Sequence, residues 1–247
     1  FTEQLILCNL YADLIEHDTD IHVERKENLG GSQVCFEAMK KGEIDMYVDY
    51  TGTIYVDVLK HKAKPDMEAV YNECVDEMYE NDKIVLLEQA GFNNTYTLAV
   101  SKETAEKYGL ETMEDFKKCD SELTIGATLE FLNRPDDGLP GLEKTYGIKF
   151  KDSVGIDGSP RFTALTNGEV DIVNAFATDG LLKKYNLVIL EDNKGYFPPY
   201  YAVPMINEAT LEKYPELEAS INKLSGYLTN EVMQELNYKV DEEGMEP

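Results

Sequence analysis

The chain has 247 residues, 43% of them apolar, with 23 Lys and Arg against 48 Asp and Glu and a formal net charge of −25. Such an excess of acid excludes a nucleic-acid binder, whose affinity depends on clustered basic side chains and counterion release. The apolar share excludes a disordered chain and points to one or two globular domains. No run approaches the roughly 20 apolar residues of a membrane helix, and no charged-then-apolar leader opens the sequence, so any export signal or anchor is expected outside these residues.

Short β-branched runs alternate with amphipathic stretches, which predicts α/β layers of parallel strands joined by right-handed crossovers. A helix is expected from Thr2, then a polar strand over Ile21–Glu27, the glycine turn Leu29-Gly30-Gly31 and a helix from Ser32 ending near Gly42. A strand over Ile44–Asp49 follows. Pro65 suits a first helical turn, and Met67, Val70, Tyr71, Cys74, Val75 and Met78 recur at helical spacing, so a helix is expected over Pro65–Tyr79. Later strands are expected at Tyr96–Val100, Leu123–Ala127, Val170–Phe176 and Leu187–Leu190. From Glu208 the chain reads as helical, apart from a break at Pro215 and the polar tail Asp241–Pro247.

Sliding the chain against itself exposes an internal repeat at an offset of 126 residues. Phe36-Glu-Ala-Met-Lys-Lys-Gly-Glu-Ile-Asp45 with Tyr50 aligns with Phe162-Thr-Ala-Leu-Thr-Asn-Gly-Glu-Val-Asp171 with Phe176. Each copy reads as a helix end, a glycine suited to a C-cap and a buried strand whose last residue is aromatic, so two lobes of similar topology are expected. The expected division is residues 1–97 plus 201–247 for one lobe and an inserted lobe over 98–200, with crossover strands near 96–100 and 199–204.

Cys8, Cys35, Cys74 and Cys119 form no C-x-x-C pair, and His17, His22 and His61 lie in polar stretches away from thiols. No metal, cofactor or Cys–His catalytic site is therefore expected, and neither a P-loop nor a G-x-S-x-G elbow is present. Ligands of open α/β sheets lie beyond the carboxyl ends of strands, where Tyr50 and Phe176 stand. Either ring could equally pack in a core. Tyr96 closes Asn93-Asn94-Thr95-Tyr96, and Tyr200 lies in Tyr196-Phe197-Pro198-Pro199-Tyr200-Tyr201, both near the expected crossovers. Four rings without catalytic groups suit a quaternary ammonium, which has no N–H to donate and is best held by aromatic faces.

The ordered set Phe1-Thr-Glu-Gln4, Asn28-Leu-Gly-Gly31, Gly42-Glu-Ile-Asp45, Tyr50-Thr-Gly-Thr53, Asn93-Asn-Thr-Tyr96, Arg134 with Asp137-Gly138, Ala175-Phe-Ala-Thr-Asp-Gly180 and Phe197-Pro-Pro-Tyr200 spans nearly the whole chain. It resembles the substrate-binding proteins of glycine betaine/carnitine/choline/proline-betaine ABC transporters. That resemblance implies an α/β, two-lobed periplasmic-binding-protein fold of type II with the ligand cleft between lobes, and no enzymatic activity. It further implies a quaternary-ammonium osmoprotectant as ligand, a membrane ABC permease as partner and a monomer in solution. The location implied is extracytoplasmic, at the cell surface or in the periplasm, with an anchor or fused permease outside these residues. Carried over by motif, Tyr50, Tyr96, Phe176 and Tyr200 form the cage, and Gln4, Thr53 and Arg134 meet the ligand's non-cationic end. Phe176 stands where the family more often has tyrosine, and a β-strand is expected ahead of Phe1. Asp45 and Asp171 are expected to serve inter-element contacts and Asp179 to cap a helix. A sensor domain or an enzyme of the same fold is the alternative.

Overall fold

The computed structural model describes residues 2–134 and 137–247. In chain order its first half holds α1 (Thr2–Asp18), α2 (Ser32–Lys40), β1 (Met46–Tyr50), α3 (Thr51–Thr53), α4 (Met67–Asp82), β2 (Ile84–Leu86), β3 (Tyr96–Val100), α5 (Lys102–Tyr108) and β4 (Thr124–Ala127). Then come α6 (Leu129–Asn133), α7 (Leu139–Tyr146), β5 (Asp152–Gly155), α8 (Pro160–Thr166), β6 (Ile172–Phe176), α9 (Gly180–Lys184), β7 (Val188–Ile189), β8 (Ala202–Asn207), α10 (Glu208–Lys213), α11 (Glu216–Ile221) and α12 (Asn230–Asp241). Helix starts follow the expected cap chemistry: Asp66 accepts from the Ala69 amide, Ser101 from Thr104 and Thr229 from Val232.

The chain divides into two units, Phe1–Asn94 with Pro199–Pro247, and Thr95–Pro198. In the first, the sheet order is β1-β8-β2. Its two faces separate by strict alternation: Ala202 and Ile206 of β8 join a core with Leu7, Tyr11, Val48 and Phe92, while Val203 and Met205 join Phe36, Met39, Cys74 and Met78. Helices α1 and α2 thus cover opposite faces, and Cys8 and Cys35, one on each, are free along with Cys74 and Cys119. In the second unit the order is β5-β4-β6-β3-β7. Leu98, Val100, Ile125 and Ile172 face one core with Phe116 and Phe131, and Ala99, Val173 and Ala175 face another with Phe162 and Leu182.

The repeat is built as the sequence implies, down to its hydrogen bonds. Gly42 and Gly168 take left-handed φ of 69° and 75°. The amides of Lys41, Gly42 and Glu43 donate to the carbonyls of Glu37, Met39 and Ala38, and those of Asn167, Gly168 and Glu169 donate to Thr163, Leu165 and Ala164. Each set closes a helix through a glycine into the strand that ends at Tyr50 or Phe176. Asp171 accepts from the Thr124 amide and Asp45 from the Thr210 hydroxyl, so both tie neighbouring elements.

Several expectations need correction. The sheets are not uniformly parallel: β1 and β2 run antiparallel to β8, β3 runs antiparallel to β6 and β7, and only β4 pairs in parallel with β5 and β6. Strands β3 and β8 each begin where the chain passes from one unit into the other, so neither is bound by the crossover rule for consecutive strands of one sheet. Ile21–Glu27 is not a strand. Polar side chains of α1 hold it: the Val23 amide donates to Glu16 (3.0 Å), and Arg25 pairs with Asp13 and Glu16. A groove of about 870 Å³ is left beside the outer edge of β1, lined by Leu7, Tyr11, Ile21, Val23 and Val48. Strand β1 starts at Met46 rather than Ile44, α4 starts after its Asp66 cap, and a second break at residues 225–229 precedes α12.

Candidate functional site

In the first unit the corner after β1 gathers three of the expected residues around a buried carboxylate. Tyr50 is 8% exposed, its ring edge-on to Phe92 at 6.4 Å. Its hydroxyl donates to Glu3 Oε1 at 2.5 Å and accepts from Gln4 Nε2 at 3.1 Å. Glu3 is only 2% exposed and also accepts from Asn94 Nδ2 (2.9 Å) and Asn237 Nδ2 (3.2 Å). Burial first, and then the Glu3 charge, hold the Tyr50 phenol well above its ordinary pKa, so it stays a proton donor. Glu3 and Asn94 lie inside motifs quoted from the sequence but carry no assigned role there, and Asn237 belongs to none of them. An acidic residue in a first helical turn reads as ordinary dipole compensation, and Asn237 lies at the far end of the chain.

Thr53 ends α3 half-buried, and the chain continues into a π-helical turn over Ile54–Val58. Tyr200 packs directly on this corner: a Cβ built on Gly52 would lie 2.6 Å from the Pro199 carbonyl oxygen and 2.7 Å from the Tyr200 ring. Gly52 is there for close approach rather than for an unusual turn. The Tyr200 amide donates to Asn93 Oδ1 (2.8 Å), and its carbonyl accepts from the Asn94 amide (3.0 Å), which fixes the backbone on which the ring sits.

In the second unit Tyr96 and Phe176 are register partners across β3 and β6, their rings stacked at 4.9 Å and 25°. Tyr96 is buried on Phe131 (5.3 Å) and Phe197 (6.1 Å), whereas Phe176 is 41% exposed. Arg134 is held at the end of α6, with Nε and Nη2 forking onto Asp137 (2.6 and 2.5 Å) and Nη1 on Glu130 (2.7 Å). The Asp137 hydrogen bonds raise its pKa further. Asp179 caps α9 through the Leu181 amide and lies 3.4 Å from Arg161. Phe1, the first residue of the opening motif, lies outside the described residues.

Among the described residues no cluster of three or more His, Cys, Asp or Glu side chains could hold a metal ion, and no helix is long and apolar enough to cross a membrane. Two α/β units, each ending a repeated strand in an aromatic ring, with the chain passing twice between them, define a two-lobed binding protein of the type II periplasmic class. The chain belongs to the family of substrate-binding domains of the ABC-type glycine betaine transport system, which matches it over residues 1–247. It is 38% identical to the carnitine transport binding protein OpuCC of Listeria monocytogenes, over all of this chain and 80% of that protein. It is 34% identical to the ergothioneine transport permease/ergothioneine binding protein EgtU of Helicobacter pylori, over 97% of this chain and 43% of that one. A crystal structure of a glycine betaine/carnitine/choline ABC transporter protein superposes with a TM-score of 0.95 at 33% identity, covering all of this chain and 91% of the other. These relatives are transport binding proteins, not enzymes.

Proposed function

We propose that this domain captures a small trimethylammonium compound on the faces of Tyr50, Tyr96, Phe176 and Tyr200 and delivers it, unchanged, to a membrane ABC permease. Gln4, Thr53 and Arg134 meet the ligand's non-cationic end, and both units contribute contacts. The domain works as a monomer outside the cytoplasmic membrane. The observation that carries this reading is the Tyr96–Phe176 pair, in which a large ring is left 41% exposed at a strand end and backed by a buried stack. An exposed aromatic face held rigid by packing is what a cation without N–H donors requires. Each desolvated ring contact contributes about 2 kcal/mol, and micromolar binding needs about 8 kcal/mol net. Four rings with polar contacts are therefore sufficient after ordering costs.

The test is calorimetric titration with glycine betaine, carnitine, choline and ergothioneine, followed by mass analysis of the recovered compound. Saturable binding of at least one, recovered intact, is expected. Absence of binding across this panel, or conversion to a product, would overturn the proposal.

A further inference from the structure

We infer that Glu3 is a positioning residue for the cation: by accepting a hydrogen bond from the Tyr50 hydroxyl it raises the negative potential of that ring and favours ligands whose trimethylated centre is a cationic nitrogen over ligands of the same shape with a neutral carbon there. The inference rests on reading Tyr50 as a ligand contact.

Both oxygens of Glu3 are engaged, Oε1 by Tyr50 and Asn94 and Oε2 by Asn237. Its place in the first turn of α1 sets it at a helix N-terminus, where the dipole favours an acidic side chain. The hydroxyl of Tyr50 has one proton to give, and Glu3 takes it. Gln4 Nε2 meanwhile occupies an acceptor site on the same oxygen. With both directions at the hydroxyl fixed and Phe92 edge-on at 6.4 Å, the ring plane is set before any ligand arrives.

A phenol donating to a carboxylate carries more negative charge on its oxygen and ring carbons than one donating to water. The attraction of a cation to a ring face is electrostatic and grows with that charge. At 2% exposure the carboxylate is also poorly screened, so its own charge adds to the field. Phe176, the matching ring of the repeat, has no hydroxyl and receives no such polarisation.

Glycine betaine and 3,3-dimethylbutanoate share a shape and a carboxylate and differ in whether the trimethylated centre is nitrogen or carbon. The experiment measures both on the parent chain, on Glu3→Gln and on Tyr50→Phe, the carbon compound by displacement of betaine. For Glu3→Gln, betaine affinity should fall about tenfold while the carbon compound binds unchanged or slightly more tightly. Tyr50→Phe, which keeps the ring and removes only the proton donor, should lower the same ratio by about threefold. Equal losses for both compounds would mean that Glu3 acts only on structure, and the inference would be wrong. If circular dichroism shows Glu3→Gln unfolded, the ratio in Tyr50→Phe decides alone. A parent chain that binds no trimethylammonium compound would defeat the reading of Tyr50 as a contact and this inference with it. A parent that binds, with the ratio unmoved by either variant, defeats the inference only.

Discussion

The corners at Tyr50 and Phe176 are built by the same stretch of backbone, helix, left-handed glycine and strand, yet their surroundings diverge. Tyr50 is buried with its hydroxyl on Glu3, while Phe176 lies 41% exposed on Tyr96. One residue earlier in each strand, the first corner has the buried carboxylate of Asp49 and the second has Ala175. Two residues after each aromatic, Gly52 lets the Tyr200 ring approach, where the other corner has Thr178. The shared backbone sets where an aromatic is presented. The side chains around it set how deeply that ring is buried and what its edge is bonded to.

Truncating the two rings breaks this comparison most sharply. Tyr50→Ala should cost about 3–5 kcal/mol of stability, the range for losing a buried aromatic, and should weaken ligand binding as well. Phe176→Ala should cost only about 1 kcal/mol of stability, its stack on Tyr96, but about 2 kcal/mol of binding. Chemical denaturation and calorimetry of both variants check this, and equal stability losses would show that the corners are not different in kind.

The next largest effect is at Asp49, whose carboxyl accepts from Ser32 Oγ (3.1 Å) and the Tyr50 amide (2.8 Å). Burial outweighs those bonds and pushes its pKa up to about 6, against about 3.9 in an unfolded chain. The folded state holds this proton more tightly, so its contribution to stability is present at low pH and is lost as pH rises through about 4 to 6. The total is about 3 kcal/mol. Asp49→Asn should remove that slope, and thermal unfolding of parent and variant from pH 4 to pH 7 compares them. Parallel curves would show that Asp49 titrates normally.

Smaller effects test the backbone. Gly52→Ala places a Cβ 2.6 Å from a main-chain oxygen that cannot move freely, so about 1–3 kcal/mol of stability should be lost as the Tyr200 segment shifts. Gly42→Ala and Gly168→Ala meet no neighbour but must hold φ of 69° and 75°, at about 1 kcal/mol each. Those two losses should match within error in urea titrations, and a clear inequality would mean that the repeated corners are not equivalent even in backbone.

The repeat was readable from sequence because its signals are local: apolar spacing in the helix, a glycine at its end and an aromatic closing the strand. Strand β5 was not, since Asp152-Ser153-Val154-Gly155 is exposed throughout and carries no buried face to set a pattern. Strand β2, three residues long, follows α4 with no turn residue other than Lys83 in a left-handed conformation. Ile21–Glu27 shows the converse, an alternation of apolar and polar residues without a strand, because α1 satisfies its polar groups instead. Antiparallel pairing of β8 depends on where the chain returns, which no local pattern encodes. At the candidate site the rings could be picked out by type and motif, whereas the Glu3 network joins residues 3, 50, 94 and 237, and no single stretch of sequence carries it.

The central claim is that aromatic faces select for a fixed positive charge, and calorimetry of the unmodified chain with carnitine and with its carbon isostere, the tert-butyl analogue, tests it directly. Micromolar, one-site binding of at least one trimethylammonium compound is predicted, with the matching carbon isostere weaker by at least about a hundredfold, as several ring contacts of about 2 kcal/mol each require. Binding of the ammonium compound and its carbon isostere with similar affinity would contradict the account.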